Sequence, residues 1–168
     1  WDYGGQRQHN NHGDDTGGAD THYPTLTDDE LVQLGVGKLA DLDGTLLFLW
    51  TTGPMVFRSL AVMDGWGFQY ATMGFVWYKQ FTNPGYYTMS QTEFCLVGKI
   101  GKIPQPRGAR NVRQFVSSKR GAHSVKPDEV RDAIDLMFPT QNKIELFARS
   151  MVPGWDAWGT EVGDTEPW

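Results

Sequence analysis

Gly44-Thr45-Leu46-Leu47-Phe48-Leu49-Trp50 is a continuous apolar run, and residues typical of turns bound it on both sides. Such a run is typical of a strand that is buried on both faces of a parallel sheet. A helix is predicted to follow, from about Pro54 to Met63. A buried strand followed by a helix is the basic unit of α/β proteins, so this stretch sets the fold class.

The chain after this unit alternates between strand and helix patterns. Asn83-Pro84-Gly85 is a turn signal between two aromatic-rich stretches. Pro127 begins an amphipathic helix that ends before Pro139. The alternation predicts an α/β fold with a doubly wound, mostly parallel sheet, whose ligands bind at the carboxyl ends of its strands. The further predicted strands are Phe68–Trp77, Glu93–Val97 and Lys143–Arg149.

The amino-terminal part combines a loop pattern with a helix start. Residues 4–21 are rich in Gly, Asn and Asp and contain almost nothing apolar, which predicts a mobile surface loop. His9, His12 and His22 lie in or beside this loop, but no cysteine or regularly spaced acid accompanies them, so we expect no metal site. Thr27–Glu30 (Thr-Asp-Asp-Glu) has the form of a capping box, which predicts that the first helix starts there.

Length and composition indicate one domain, spanning residues 1–168. Hydrophobic residues make up 39% of the chain, which suffices for a hydrophobic core. Cys95 is the one cysteine in the sequence, which excludes an internal disulfide and favours a reduced, cytoplasmic setting. No apolar run reaches the roughly 18–20 residues that span a bilayer, and the amino terminus lacks a secretory signal pattern, so we expect no membrane partner.

Charge is distributed unevenly along the chain, whose formal net charge is -5. Residues 98–126 contain eight lysines and arginines and no acidic residue, which predicts a loop that contacts nucleic-acid phosphates. A solvated charge run is the alternative explanation. Phosphate contacts position a nucleic acid but do not specify its base sequence. The predicted nucleic-acid-binding residues are Lys99, Lys102, Arg107, Arg110, Arg113, Lys119, Arg120 and His123.

Several stretches, in a fixed order along nearly the whole chain, resemble those of a known family. They are Tyr23–Leu31, Leu47–Thr52, Trp66–Phe68, Val76–Lys79, Glu93–Gly98, Ser124–Glu129, Ile144–Arg149 and Gly154–Val162. Their order and spacing resemble the MT-A70-like family of adenine-N6 methyltransferases, especially its bacterial or phage DNA-modifying members. The resemblance implies a Rossmann-like fold and S-adenosyl-L-methionine as the cofactor. It also implies methyl transfer to the N6 amino group of adenine in DNA, with RNA as the alternative substrate.

The resemblance further implies which residues contact the cofactor. Lys126, beside a helix start, is expected to bind the carboxylate of S-adenosylmethionine. Arg149 and Glu161 are expected to bind its ribose hydroxyls, through charge-assisted hydrogen bonds. For Glu145 two alternatives stay open: contact with the ribose, or an ion pair with Lys143 or Arg149.

The sequence departs from the family pattern at two places. Thr160, a further expected cofactor contact, stands where the family usually has Asn, and a hydroxyl has fewer donors than an amide. The family's catalytic motif is Asp-Pro-Pro-Trp, whose acid and backbone carbonyl accept hydrogen bonds from the adenine amino group. Trp1, at which the sequence begins, resembles the last residue of that motif. Trp1 is therefore expected to stack on the target base, and Tyr23 to lie near it.

Two functions remain open on these grounds. The first is an adenine-N6 methyltransferase, which Asp-Pro-Pro upstream of Trp1 in the encoded gene would favour. The second is a non-catalytic nucleic-acid-binding subunit, because the family includes members with decayed catalytic motifs. Family analogy also implies a homodimer or heterodimer partner. Most of the other tryptophans are expected to pack in the core, namely Trp50, Trp66, Trp77, Trp155 and Trp158.

Overall fold

A four-stranded mixed sheet forms the centre of the computed structural model, which describes residues 25–85, 87–121 and 125–163. Its strands are β1 (Gly44–Thr51), β2 (Gln69–Asn83), β3 (Ser90–Gly101) and β4 (Phe115–Ser117). They lie in the order β1-β3-β2-β4. Strand β3 is antiparallel to both β1 and β2, whereas β4 is parallel to β2.

Strand β1 is the predicted apolar strand, but its surroundings differ from the prediction. Among the described strands it pairs only with β3, and all its residues except Thr51 are half-buried. A doubly wound, mostly parallel sheet is therefore not confirmed by this part of the chain. The physical reason is the short connection from β2 to β3, residues 84–89, which leaves no room for the crossover that parallel strands require. Strand β3 folds back as a hairpin and lies between β1 and β2.

In the described part of the chain three α-helices accompany the strands: α1 (Asp28–Gln33), α2 (Val56–Gly65) and α3 (Asp128–Met137). The capping box that starts α1 is confirmed, because Glu30 N donates to Thr27 Oγ1 and Thr27 N donates to Glu30 Oε2. The predicted start of α3 after Pro127 is confirmed as well. No helix in the described ranges is long and apolar enough to cross a membrane.

Helices cover both faces of the central sheet. Leu96 of β3 belongs to a core cluster with Val62 of α2, whereas its neighbour Cys95 belongs to a second cluster with Val130 of α3. Successive residues of a strand point to opposite faces, so α2 and α3 lie on opposite sides of the sheet. The α/β class predicted from the sequence is confirmed.

A second, two-stranded parallel sheet follows α3 and consists of β5 (Ile144–Leu146) and β6 (Asp156–Trp158). Strand β5 is shorter than the predicted strand, which extended to residue 149. Phe147 has a φ of 58°, a left-handed conformation that ends an extended strand. The chain therefore turns immediately after β5.

Candidate functional site

A partly buried charge cluster joins β2, β3 and the start of α3. Lys126 Nζ donates to Glu93 Oε2 at 2.8 Å, and Lys79 Nζ donates to Glu93 Oε1 at 3.5 Å. Lys126 Nζ also lies 5.8 Å from the centroid of the Trp50 ring, within range of a cation–π contact. We call Lys79, Glu93 and Lys126 the Glu93 cluster. Two ammonium groups share one carboxylate, so the ionised cluster carries one excess positive charge.

Strand pairing and a helix start bring these three side chains together. Trp77 lies opposite Glu93 in the β2–β3 ladder, and Lys79 follows two residues later on the same strand. Diagonal neighbours of this kind are within reach of long side chains on one face of a sheet. Lys126 belongs to the segment that leads into α3. It directly precedes Pro127, which adopts an extended conformation at the start of that helix. The sheet therefore supplies Glu93, and the helix start supplies Lys126.

The charges in this region can be assigned from burial and from neighbouring groups. Burial alone would raise the pKa of Glu93, but Lys126 and Lys79 together hold that pKa below its ordinary value. Burial raises the pKa of the Cys95 thiol to about 12, although Lys126 opposes this. The thiol is therefore neutral at pH 7 and does not cancel the excess positive charge of the cluster.

The lowered pKa of Glu93 predicts a loss of stability in acid. The unfolded chain binds a proton at this carboxyl more readily than the folded protein, so the stabilisation is full above the ordinary pKa of 4.5. It is lost as the pH falls through the lower folded value. We expect Glu93→Gln to reduce the free energy of unfolding by about 1–3 kcal/mol at neutral pH, because Lys79 loses its charged partner.

Urea unfolding of both proteins between neutral pH and strong acid tests this expectation. The difference in unfolding free energy between wild type and Glu93→Gln should shrink below the ordinary glutamate pKa. A difference that stays constant across this range would show that Glu93 is not ionised in the fold.

A second ion pair lies just after the two short strands. Arg149 Nε is 2.8 Å from Glu161 Oε1, and both side chains are partly exposed. Ala148 N donates to Trp158 O at 2.9 Å, which holds the two segments side by side. A Cβ atom on Gly159 would lie 2.7 Å from Ala148 O, so only glycine allows this close approach. The structure thus brings together the two residues predicted to bind the ribose hydroxyls.

The remaining predicted cofactor residues lie on either side of this ion pair in the sequence. Glu145 Oε2 accepts a hydrogen bond from Arg131 Nη2 of α3 at 2.9 Å. Its ion-pair partner is therefore Arg131, and the predicted pairing with Lys143 or Arg149 is wrong. Lys143 instead pairs with Asp135 of α3, at 3.2 Å. Thr160 is exposed and begins a short 3-10 helix, Thr160–Val162.

The basic segment 98–126 contains the end of β3 and the short strand β4, and its other described residues have no helix or strand. Arg107 lies over the ring of Phe138 at 5.4 Å, and Arg120 lies over that of Phe81 at 5.5 Å. These two guanidinium groups and Lys99 are half-buried. The exposed cations of this segment, which solvent or a phosphate can reach, are Lys102, Arg110, Arg113 and Lys119.

Sequence reasoning missed the roles of Lys79 and Glu93, which it used only as family markers. A signal was present, because each charged residue adjoins an apolar, aromatic-rich stretch that is predicted to be buried. Trp50 was expected in the core, and it is half-buried beneath Lys126. The predicted residues Trp1, Tyr23 and His123, together with the loop 4–21, lie outside the described residues. Among described residues, no group of His, Cys, Asp and Glu could hold a metal ion.

Comparison with known proteins supports one family. The model of the MT-A70 family matches residues 7–161. The Type II methyltransferase M.MunI of Mycoplasma sp is 49% identical to this chain over 177 residues, which cover 99% of this chain and 76% of that protein.

Eukaryotic proteins show the same similarity at lower identity. The N(6)-adenosine-methyltransferase catalytic subunit METTL3 of Homo sapiens is 32% identical over 83% of this chain. The N(6)-adenosine-methyltransferase MT-A70-like protein of Drosophila melanogaster is 33% identical over the same share. The alignments cover 25% and 24% of those two proteins, so this chain spans about a quarter of their length. From the family match and these identities together, the chain belongs to the MT-A70 family.

Proposed function

We propose that this chain is an S-adenosylmethionine-dependent methyltransferase that transfers a methyl group to the N6 amino group of adenine in DNA. Membership of the MT-A70 family supports the reaction, and 49% identity to a Type II methyltransferase supports DNA over RNA as the substrate. The observation that best supports S-adenosylmethionine as the cofactor is the position of the Lys126 ammonium. Glu93 holds this ammonium at the start of α3, within a cluster of net positive charge.

The residues present fit the polar groups of S-adenosylmethionine. Lys126 offers a cation to the carboxylate, and its ammonium keeps donors beyond the one that Glu93 accepts. Arg149 and Glu161 offer donors and acceptors that suit a pair of ribose hydroxyls. Thr160 stands beside Glu161 and is exposed. Together, these donors and acceptors suit the two ends of S-adenosylmethionine, which is an amino acid joined to a nucleoside. We also propose that the chain has a Rossmann-like methyltransferase fold.

The chain's own residues have binding and orienting roles. S-adenosylmethionine, when bound, supplies the methyl group and a good leaving group, and so needs no metal ion. Lys126 fixes one end of the cofactor and the Arg149–Glu161 pair fixes the other, which orients the reacting centre between them. The exposed cations Lys102, Arg110, Arg113 and Lys119 neutralise phosphates and position the nucleic acid.

We assign base recognition to residues outside the described part. Trp1 would stack on the target adenine, and Tyr23 would lie beside it. A dimer partner is part of the proposal, since the relative METTL3 is named a catalytic subunit. We place the protein in the cytoplasm, in keeping with a single buried cysteine that needs no oxidising compartment.

Transfer of a labelled methyl group from S-adenosylmethionine tests the reaction. The chain of residues 1–168 and a version with Asp-Pro-Pro before Trp1 would be incubated with adenine-containing DNA, RNA and DNA without adenine. We expect the extended version to label adenine-containing DNA, because the added acid and carbonyl accept hydrogen bonds from the amino group at the transition state. Digestion of the DNA to nucleosides should yield labelled N6-methyl-2′-deoxyadenosine, and the adenine-free control should contain no label.

Other outcomes would change the assignment. Label in RNA but not in DNA would replace the substrate and keep the reaction. Nucleic-acid binding by both versions without methyl transfer would overturn the enzyme and support the non-catalytic subunit.

A further inference from the structure

Lys79 of β2 is a buried cation to which the cofactor contacts above assign no role. The residue is 5% exposed, and Glu93 provides its ion pair. No other acidic side chain forms an ion pair with Lys79 in the parts of the chain that the structure describes. Burying an ammonium group is costly unless a charged partner compensates it. A lysine at such a position therefore calls for an electrostatic explanation.

Glu93 is the group that connects Lys79 to the cofactor site. One of its carboxylate oxygens lies 2.8 Å from Lys126 Nζ and the other 3.5 Å from Lys79 Nζ. If Lys126 alone faced Glu93, the pair would be neutral and would attract no further anion. With Lys79 present the cluster has one excess positive charge, which a single carboxylate from a ligand would neutralise.

We propose, on the basis of the function proposed above, that Lys79 is a positioning residue. It neutralises Glu93 so that Lys126 can bind the carboxylate of the cofactor. Lys79 acts through Glu93, since it is buried while Lys126 keeps a third of its side-chain surface exposed. The two lysines therefore have different roles. Lys79 compensates the carboxylate of Glu93, and Lys126 binds the carboxylate of the ligand.

Two anions would otherwise face each other at this site. A ligand carboxylate on Lys126 lies close to the carboxylate of Glu93, because both bind the same ammonium group. Like charges at such separations repel strongly in a partly buried environment. Trp50 covers one side of Lys126 and thereby restricts where that ammonium can move. The buried Lys79 offsets this repulsion between the ligand carboxylate and Glu93, because it pairs with Glu93.

The test compares two ligands that differ in the amino-acid end, which carries the carboxylate together with an ammonium group. S-adenosylhomocysteine has the amino-acid end of the cofactor, whereas methylthioadenosine has the same nucleoside without it. Isothermal titration calorimetry on the full chain gives the Kd of each ligand, and their ratio measures the preference for the amino-acid end that bears the carboxylate. Lys79→Met keeps an unbranched apolar side chain, one atom shorter than that of lysine, and removes the charge. We expect it to reduce this preference about tenfold, while methylthioadenosine binds as before.

A double variant separates electrostatics from packing. In Lys79→Met with Glu93→Gln, both the compensating cation and the internal anion are gone, and Lys126 alone supplies the positive charge. We expect the preference for S-adenosylhomocysteine to return to within about threefold of wild type, a rescue that damaged packing would not produce. Glu93→Gln alone should raise the preference, because a ligand carboxylate then faces two cations and no internal anion. An unchanged or lower preference in this variant would overturn the inference even if Lys79→Met fails to fold.

The outcomes distinguish this inference from the function on which it rests. Wild type that binds neither ligand would overturn the proposed cofactor site and the inference with it. Wild type that prefers S-adenosylhomocysteine, with the same preference in Lys79→Met, would overturn the role of Lys79 alone. Equal weakening of both ligands in Lys79→Met, without recovery in the double variant, would also overturn it, because Lys79 would then be structural.

Discussion

Lys126→Met should raise the Kd for S-adenosylhomocysteine about a hundredfold, because truncating a charged partner in a partly buried hydrogen-bonded pair removes several kcal/mol of binding free energy. Lys126 is the member of the Glu93 cluster that is most exposed. Its loss leaves Glu93 paired with Lys79, a neutral pair with no excess charge for a ligand carboxylate. Isothermal titration calorimetry measures the change, with methylthioadenosine as the ligand that should respond little.

The matched control for this prediction is Lys38→Met. Lys38 is an exposed lysine in the short 3-10 helix Val36–Leu39 and belongs to neither ion-pair group of the site. The control should bind S-adenosylhomocysteine as tightly as wild type. If Lys126→Met also binds as tightly as wild type, Lys126 does not contact the cofactor's carboxylate, and the orientation proposed for the cofactor is wrong.

Trp77→Ala should lower the free energy of unfolding by about 3–5 kcal/mol, as expected for truncation of a large buried aromatic residue. Trp77 is 2% exposed, and its Nε1 donates to Ser118 O at 3.1 Å. Its ring also contacts that of Trp50 in an edge-to-face arrangement, with centroids 6.2 Å apart. Removing the indole therefore leaves a cavity beneath the residue that faces Lys126. Urea unfolding at neutral pH measures the loss.

Two further variants show which property of Trp77 matters. Trp77→Phe keeps much of the ring volume but loses the hydrogen bond to Ser118, so its loss of stability should be smaller than that of Trp77→Ala. Phe57→Ala removes a ring that is 86% exposed on α2, and should change stability by no more than about 0.5 kcal/mol. Similar losses in Trp77→Ala and Phe57→Ala would contradict the assignment of Trp77 to the core.

Local sequence patterns predicted the elements well, and particular residues show why. The capping box at Thr27 and the helix start at Pro127 depend on side chains within a few positions of each other, so the sequence displays them directly. The end of β5 was missed because Phe147 adopts a left-handed conformation that an aromatic residue rarely takes and that no local signal announces. The apolar run of β1 predicted a strand but not its partner, because apolar composition does not encode direction of pairing.

The candidate site divides in the same way. Lys126, Arg149 and Glu161 came from the resemblance to the family, and the structure brings Arg149 and Glu161 into contact. Glu145 had two predicted ion-pair partners on its own strand, yet its partner is Arg131, on α3. Arg149 follows the left-handed turn at Phe147 and pairs with Glu161, whereas Lys143 pairs with Asp135 of α3, so neither is left to pair with Glu145.

The sequence by itself determined the family, the α/β class, the helix caps and the basic character of residues 98–126, because each depends on residue types and short spacings. Only the tertiary structure decided that β3 lies antiparallel between β1 and β2. It alone decided that Lys79 and Lys126, 14 and 33 residues from Glu93, share that one carboxylate. The reason is physical: strand pairing and helix packing join distant segments, and the cost of burying charge then selects which of them meet.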